Sequence, residues 1–297
     1  MHGESYQEFM SSKLVPVPGN IGESNLGMNP DLMNEIAKEV DVIINSAANT
    51  TFDERAKSCG WKNVYEFTKA MGELVIDENR GEIPVAIVRP SIIVSTFREP
   101  FPGWIQGNRM ADPIAMAYCK GHLPAFLNPE TVIDISNTEL LGNQGLMSTM
   151  FHLPGVNPIT LADFFNFLYE HFKSSPLEDV KGKTVDIKRL KFFSSVEDVP
   201  PMYLKSNYGA IWGCFCNTIN LQITLSFKGY YFLEKFANHL ECNTGRFDST
   251  ETYKLWEAMS EDEKPNFGFD VKNLDWRNYF INIHVPGLRK YVIKNGR

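Results

Sequence analysis

The chain lacks an excess of positive charge. Its 297 residues include 29 lysines and arginines against 36 aspartates and glutamates, so its formal net charge is -7. A protein that attracts a polyanion through its overall charge needs the opposite balance. The composition therefore argues against nucleic acid as a partner and leaves room only for a local basic patch.

Cysteine is sparse and follows no binding pattern. The five cysteines are odd in number, show no Cys-x-x-Cys spacing and have no paired histidines nearby; they are Cys59, Cys119, Cys214, Cys216 and Cys242. A disulfide framework needs an even set, and a zinc site needs closely spaced ligands. We expect reduced intracellular thiols and no metal site.

The sequence argues against a secretory signal and favours other interpretations over a membrane-spanning helix. The first thirteen residues lack the charged start and apolar centre of a secretory signal. The most membrane-like stretch, residues 208–227, carries Asn217, Asn220 and Gln222, and amides at this density make a spanning helix costly. We expect a buried or surface-associated segment there.

A glycine-rich dinucleotide turn is missing as well. The glycines at 19, 22 and 27 do not have the G-x-G-x-x-G spacing, and two prolines interrupt the short strand expected before them. Such a turn supplies the backbone N–H groups and the helix end that hold a pyrophosphate. Without it, a dinucleotide loses its main anchor.

What the sequence does contain is a tyrosine and a lysine four residues apart, in WKNVYEFTKAMGE (61–73). On a helix, Tyr65 and Lys69 would share one face. A phenol titrates near pH 10 and a neighbouring ammonium favours its phenolate, so the pair suits proton donation during carbonyl reduction. Judged on spacing alone, an ordinary amphipathic helix with one polar pair is the favoured interpretation.

The elements on either side of this helix favour the functional interpretation. An apolar run over 40–46 precedes it and breaks into Ala47 and Ala48, and a second run over 84–95 follows and is interrupted by Pro90 and Ser91. Strand, helix and strand with continuous apolar runs predict an α/β fold with a parallel sheet covered by helices on both faces. Ligands of such sheets bind where these breaks fall, at the carboxyl ends of the strands.

Several stretches of this sequence, taken together, resemble the alcohol-forming fatty acyl-CoA reductases, particularly those of plants. These enzymes belong to the extended short-chain dehydrogenase/reductases. The matching stretches are VDVIINSAANTTFDER (40–55), VYEFTKAMGE (64–73), IVRPSIIVSTFREPFPGWIQGNRMADPI (87–114) and a carboxyl-terminal block over 245–292. The last is similar to the male-sterility domain, which other extended reductases lack. The resemblance implies a partial Rossmann-like domain over 1–150 and a mostly helical carboxyl-terminal domain over 151–297.

The resemblance also implies a reaction, in which NADPH reduces a long-chain acyl-CoA to the aldehyde and then to the primary alcohol. Tyr65 would donate the proton, and Lys69 would bind the nicotinamide ribose. The remaining cofactor contacts implied by the family are Asn20 and Ile21 beside the adenine, Ala47 and Ala48 against ribose or pyrophosphate, and Pro90 and Ile92 near the nicotinamide. Plant relatives suggest the endoplasmic reticulum or the plastid.

The chain departs from the family pattern after Arg55. The family has a long segment there, with the strand that carries a catalytic serine or threonine; Thr50, Thr51 and Ser58 are the nearest hydroxyls in this chain, and none has the strand context. The open alternative is a catalytically inactive relative that binds lipid or a full-length reductase. Association with a membrane surface and oligomers with itself or full-length reductases are further expectations.

Local signals predict several helix boundaries. Asn29 and Pro30 should begin a helix that continues to Val40, and Thr160 should cap a helix whose apolar stripe is core or, alternatively, an acyl-chain groove. Ser249 and Ser260 are further predicted caps, the latter with Glu263 in a capping box. Residues 134–150 are expected to form an irregular junction or to mark a further deletion relative to the family. The predicted stripe consists of Leu161, Phe164, Phe165, Leu168 and Phe172.

Overall fold

The computed structural model forms two compact units, residues 1–50 and 51–297. The predicted domain boundary at residue 150 stays a prediction, and it falls within a strand of the second unit. The structure describes residues 5–47, 60–61, 64–98, 101–108, 111–136, 149–153, 158–179, 181–195, 198–200, 250–266 and 274–293.

The first unit contains two helices joined by a loop. Helix α1 is Ser5–Lys13, a 3₁₀ turn follows at Ser24–Gly27, and helix α2 is Pro30–Glu39. The Asn29 side chain accepts a hydrogen bond from the backbone N–H of Asp31 at 2.8 Å. Because that bond satisfies an N–H at the helix start and proline needs none there, α2 begins where the sequence predicts.

The two strands predicted in this unit are not formed. Neither residues 14–18 nor residues 40–46 pair with another strand among the described residues, and Ile43 and Ile44 are 84% and 86% exposed. A strand requires a neighbour to satisfy its backbone groups. The apolar pattern was therefore sufficient to predict an extended segment but not its partner.

Among its described residues, the second unit contains eight short strands in four pairs. The pairs are β1 Ala86–Pro90 with β6 Thr149–Leu153, β2 Ile92–Ile93 with β5 Ile135–Ser136, β3 Ala125–Leu127 with β8 Lys191–Phe193, and β4 Val132–Ile133 with β7 Ile159–Thr160. The first three of these pairs are parallel, and the fourth is antiparallel. The irregular junction, one of the two alternatives predicted for 134–150, was wrong at both of its ends, because β5 begins at Ile135 and β6 begins at Thr149.

The described helices of this unit are α3 Val64–Asn79, α4 Asp112–Cys119, α5 Leu161–Ser174, α6 Thr250–Ala258, α7 Glu263–Asn266, α8 Trp276–Tyr279, a π-helical turn Phe280–His284, and α9 Val285–Tyr291. Successive side chains of β1 point to opposite faces. On one face Arg89 pairs with Glu73 of α3, and on the other Val88 belongs to the same hydrophobic cluster as Leu255 and Trp256 of α6. Helices therefore lie on both faces of β1, which agrees with the predicted α/β class.

The main core joins α4 and α5 to the segment 274–293, which we call the C-terminal clamp. All five predicted stripe positions of α5 are at most 3% exposed, and Phe164 meets Phe280 of the clamp edge to face with ring centroids 5.4 Å apart. Close burial of this kind leaves no open groove along the stripe. The aromatic stripe is therefore core, as the first of the two interpretations held.

The described helix starts also follow the predicted caps. Ser260 and Glu263 exchange hydrogen bonds in a capping box, whereas Ser249 lies outside the described residues. No helix of the described part of the chain is both long and apolar enough to cross a membrane. This finding does not cover the stretch 208–227, which lies outside the described residues.

Replacing Thr160 with alanine should lower the free energy of unfolding by about 1 kcal/mol. The Thr160 hydroxyl accepts from the backbone N–H of Asp163 at 3.1 Å, and the Asp163 carboxylate accepts from the backbone N–H of Thr160 at 2.9 Å. Thr160→Ser keeps the hydroxyl and is the control. Equal losses in the two variants, measured by urea denaturation, would show that the cap contributes nothing.

Candidate active site

The site is centred on one face of α3. Tyr65 and Lys69 lie one turn apart on this helix, as predicted, and both are half-buried. Glu73, one further turn along, is half-buried too, whereas Met71 and Leu74 are exposed. Since residues four apart share a side of a helix, Tyr65, Lys69 and Glu73 form a single stripe.

An ion pair holds this stripe against β1. The Arg89 side chain donates from Nε to one Glu73 carboxylate oxygen at 3.0 Å and from Nη2 to the other oxygen. The hydrogen bonds to Glu73 raise the pKa of Arg89, and burial opposes the shift. A two-point contact of this kind fixes orientation as well as distance, so the face that carries Lys69 is turned toward β1.

Glu73→Gln should lower the free energy of unfolding by about 1 kcal/mol, because it removes the charge from a two-point, half-buried contact. The matched control on the same helix is Asp77→Asn, which breaks the exposed pair with Arg80 and should cost a few tenths of a kcal/mol. Thermal unfolding of both variants checks the difference. If Asp77→Asn lowers the free energy of unfolding as much as Glu73→Gln does, the ion pair between α3 and β1 stabilises the protein no more than an exposed pair.

Pro90 and Ile92 lie where β1 passes into β2. Pro90 ends β1 opposite Leu153 of β6, and the backbone N–H of Ile92 donates to the carbonyl oxygen of Asp134 at 3.2 Å. Both residues therefore lie at the carboxyl end of a parallel strand, the edge at which α/β proteins bind ligands. Glu73, on the same helix face as Tyr65 and Lys69, is therefore bound to the strand that ends in Pro90.

The other predicted cofactor residues belong to the first unit. The Asn20 side chain accepts from the backbone N–H of Gly22 at 3.0 Å and donates to the Glu23 carboxylate at 2.7 Å, so its amide organises its own turn. Ile21 is 68% exposed. The backbone N–H of Ala47 donates to the Asn45 side chain at 3.1 Å, and Ala48 lies outside the described residues. Their roles toward a cofactor stay predictions.

A buried polar chain beyond β2 was missed by the sequence reasoning. Ser95 contacts both Tyr279 and His284 of the C-terminal clamp, and His284 lies next to Asp112 of α4. These four side chains are at most 3% exposed. Ser95 and His284 are 189 positions apart, so no local spacing could have indicated their contact.

The described residues fit the nicotinamide end of a dinucleotide. A phenol and an ammonium one turn apart, held against the carboxyl end of a parallel strand, are suited to a carbonyl and a ribose. The 297 residues contain no G-x-G-x-x-G turn for the pyrophosphate. Thr50, Thr51 and Ser58, the hydroxyls nearest the family's missing catalytic strand, lie outside the described residues.

Comparison with known proteins places this geometry in a family. Two family models match, both described as male sterility protein: a NAD-binding domain over residues 2–59 and 53–143, and the Sterile domain over residues 224–295. The terminal R domain of the myxalamid biosynthetic pathway has the same overall fold, with a TM-score of 0.56 at 15% identity, over 99% of this chain and 80% of that one.

Plant reductases are among the similar curated proteins. The chain is 33% identical to fatty acyl-CoA reductase 2, chloroplastic, of Arabidopsis thaliana, over 99% of this chain and 68% of the relative. It is 32% identical to the alcohol-forming fatty acyl-CoA reductase of Simmondsia chinensis, over 81% and 54%. The first alignment covers 422 positions against a chain of 297 residues, so that relative has internal stretches which this chain lacks. The chain belongs to the fatty acyl-CoA reductase family of oxidoreductases and carries its nicotinamide-dinucleotide-binding domain.

Proposed function

We propose that the chain reduces long-chain acyl-CoA to the primary fatty alcohol with NADPH. The balance requires two hydrides and two protons for each thioester: the first reduction releases CoA as its thiol and leaves the aldehyde, and the second gives the alcohol. A bound nicotinamide would supply the hydride. The carbonyl oxygen must gain a proton as the hydride arrives, and that proton is the task of the protein.

Tyr65 is the proposed proton donor. Its phenol gives up the proton, and the Lys69 ammonium stabilises the phenolate that remains, since the two side chains share one face of α3. Lys69 also donates to the nicotinamide ribose. Glu73 and Arg89 keep this face against β1 and act as positioning residues.

The remaining proposed cofactor contacts follow the family pattern. Pro90 and Ile92 lie beside the nicotinamide at the carboxyl end of β1. The small side chains of Ala47 and Ala48 allow backbone to approach ribose or pyrophosphate, and Asn20 and Ile21 lie toward the adenine. These assignments depend on NADPH being the cofactor.

One observation carries this proposal: the stripe of Tyr65, Lys69 and Glu73 is joined to the strand that ends in Pro90. Similarity to reductases along nearly the whole chain supports catalysis over an inactive, lipid-binding or partner-binding relative. The name of the chloroplastic relative supports a plastid over the endoplasmic reticulum. Membrane-surface association and oligomer formation remain part of the proposal.

The test is turnover by the purified full chain. With NADPH and palmitoyl-CoA, we expect loss of absorbance at the nicotinamide band together with hexadecanol and free CoA thiol in a 1:1 ratio. NADH is the matched control and should support slower turnover. NADPH consumption without alcohol or aldehyde, or no NADPH binding by fluorescence, would overturn the proposal.

A further inference from the structure

The buried chain of polar side chains connects three separated segments. The hydroxyl oxygens of Ser95 and Tyr279 are 2.9 Å apart, the Tyr279 hydroxyl donates to the Ser95 carbonyl oxygen at 2.7 Å, and His284 Nδ1 is 3.0 Å from the Ser95 hydroxyl. His284 Nε2 is 3.3 Å from an Asp112 carboxylate oxygen, at ion-pair distance but without hydrogen-bond alignment. The chain therefore links the segment after β2, helix α4 and the C-terminal clamp.

Counting protons fixes the direction of these bonds. Tyr279 has one hydroxyl proton, which it donates to the Ser95 carbonyl oxygen. The contact between the two hydroxyls then requires Ser95 to be the donor, so the Ser95 oxygen can only accept from His284. With this assignment, Nδ1 of His284 is the donor to the Ser95 oxygen. Ser95 is thus held at its side chain and at its backbone by the clamp.

Ser95, which the clamp holds, lies close in sequence to the Pro90–Ile92 segment. Ser95 follows the Pro90–Ile92 segment by three residues and is completely buried. Thr96, next in sequence, donates from its hydroxyl to the Phe101 carbonyl oxygen at 2.6 Å and exchanges backbone hydrogen bonds with Trp104 and Gly103. Fixing Ser95 therefore fixes both the carboxyl end of β2 and the loop that leaves it.

We propose that Tyr279 and His284 are positioning residues for the reductase site, which act through Ser95 on the Pro90–Ile92 segment. The inference rests on the proposed function, because it assigns that segment to the nicotinamide. In this proposal the C-terminal clamp acts on the nicotinamide only indirectly, by holding the Pro90–Ile92 segment in place.

Tyr279→Phe is the direct test, with Tyr118→Phe as the matched control. Both tyrosines are at most 2% exposed in the same core, and each donates its hydroxyl to one backbone carbonyl, that of Ser95 or of Lys188. Both variants should lose similar thermal stability. Only Tyr279→Phe should raise hydrogen exchange at the Ile92 and Thr96 amides, by about tenfold, and the KM for NADPH by a similar factor at little changed kcat.

A double-variant cycle tests whether Tyr279 acts on the Pro90–Ile92 segment through Ser95. Ser95→Ala and Tyr279→Phe remove the two ends of one contact, so their effects on exchange at Ile92 should be less than additive, whereas those of Ser95→Ala and Tyr118→Phe should add. Equal exchange in Tyr279→Phe and Tyr118→Phe, or additivity in both cycles, would overturn the proposal. The exchange readout needs no turnover, so it decides the positioning role even where the wild-type chain fails to bind NADPH. Failure of binding alone would count against the proposed function.

Discussion

Tyr65→Phe should lower kcat for palmitoyl-CoA reduction by about a hundredfold or more, which is the usual contribution of a positioned proton donor. The phenyl ring fills the same space, so folding and NADPH affinity should stay near those of the wild type. The loss should therefore appear in kcat with the KM for NADPH little changed. Steady-state kinetics with NADPH and palmitoyl-CoA measure both quantities.

Thr68→Val is the matched control for this variant. Thr68 lies on the same helix, is half-buried, and donates its hydroxyl to the Tyr65 carbonyl oxygen at 3.1 Å. Removing that hydroxyl should change kcat less than about threefold, because it costs one ordinary local hydrogen bond. Turnover by Tyr65→Phe at the wild-type rate would exclude Tyr65 as the donor, whatever the family resemblance implies.

Gly287→Ala should destabilise the second unit by about 4 kcal/mol or more, enough to abolish or severely weaken its cooperative unfolding. A Cβ added to Gly287 would lie 1.9 Å from the Gly103 carbonyl oxygen, a backbone atom that cannot move aside alone. Gly103 has a φ of +75°, and its own Cβ would lie 2.5 Å from the Ile283 carbonyl oxygen. The loop and the clamp therefore touch through bare backbone on both sides. Thermal unfolding followed by circular dichroism measures the effect.

Gly72→Ala provides the contrast within a helix. A Cβ at Gly72 in α3 meets nothing within 4 Å, so alanine should be neutral or stabilising by up to about 1 kcal/mol. Both substitutions improve helix propensity, and only Gly287→Ala creates a clash. Similar melting temperatures for the two variants would show that the clamp can shift away from the 101–104 loop at little cost.

The reliable predictions from sequence concerned residues within about three helical turns of each other. The caps at Asn29 and Thr160, the stripe of α5 and the shared face of Tyr65 and Lys69 each depend on residues at most eleven positions apart. Helical periodicity and capping chemistry fix such contacts before any tertiary structure exists. The prediction failed where pairing was required: residues 40–46 read as a strand but have no described partner, and the first two residues of β6 were assigned to a stretch read as an irregular junction or a further deletion.

The sequence by itself determined the α/β class, the helix that carries the phenol and the ammonium, and the core face of α5. Only the tertiary structure decided which strand the Tyr65 face meets, through Glu73 and Arg89, and that Ser95 is held by Tyr279 and His284. Contacts of the first kind are set by the fixed geometry of a helix. Those of the second kind join residues up to 189 positions apart, and chain separation of that length leaves no periodic trace in a single sequence.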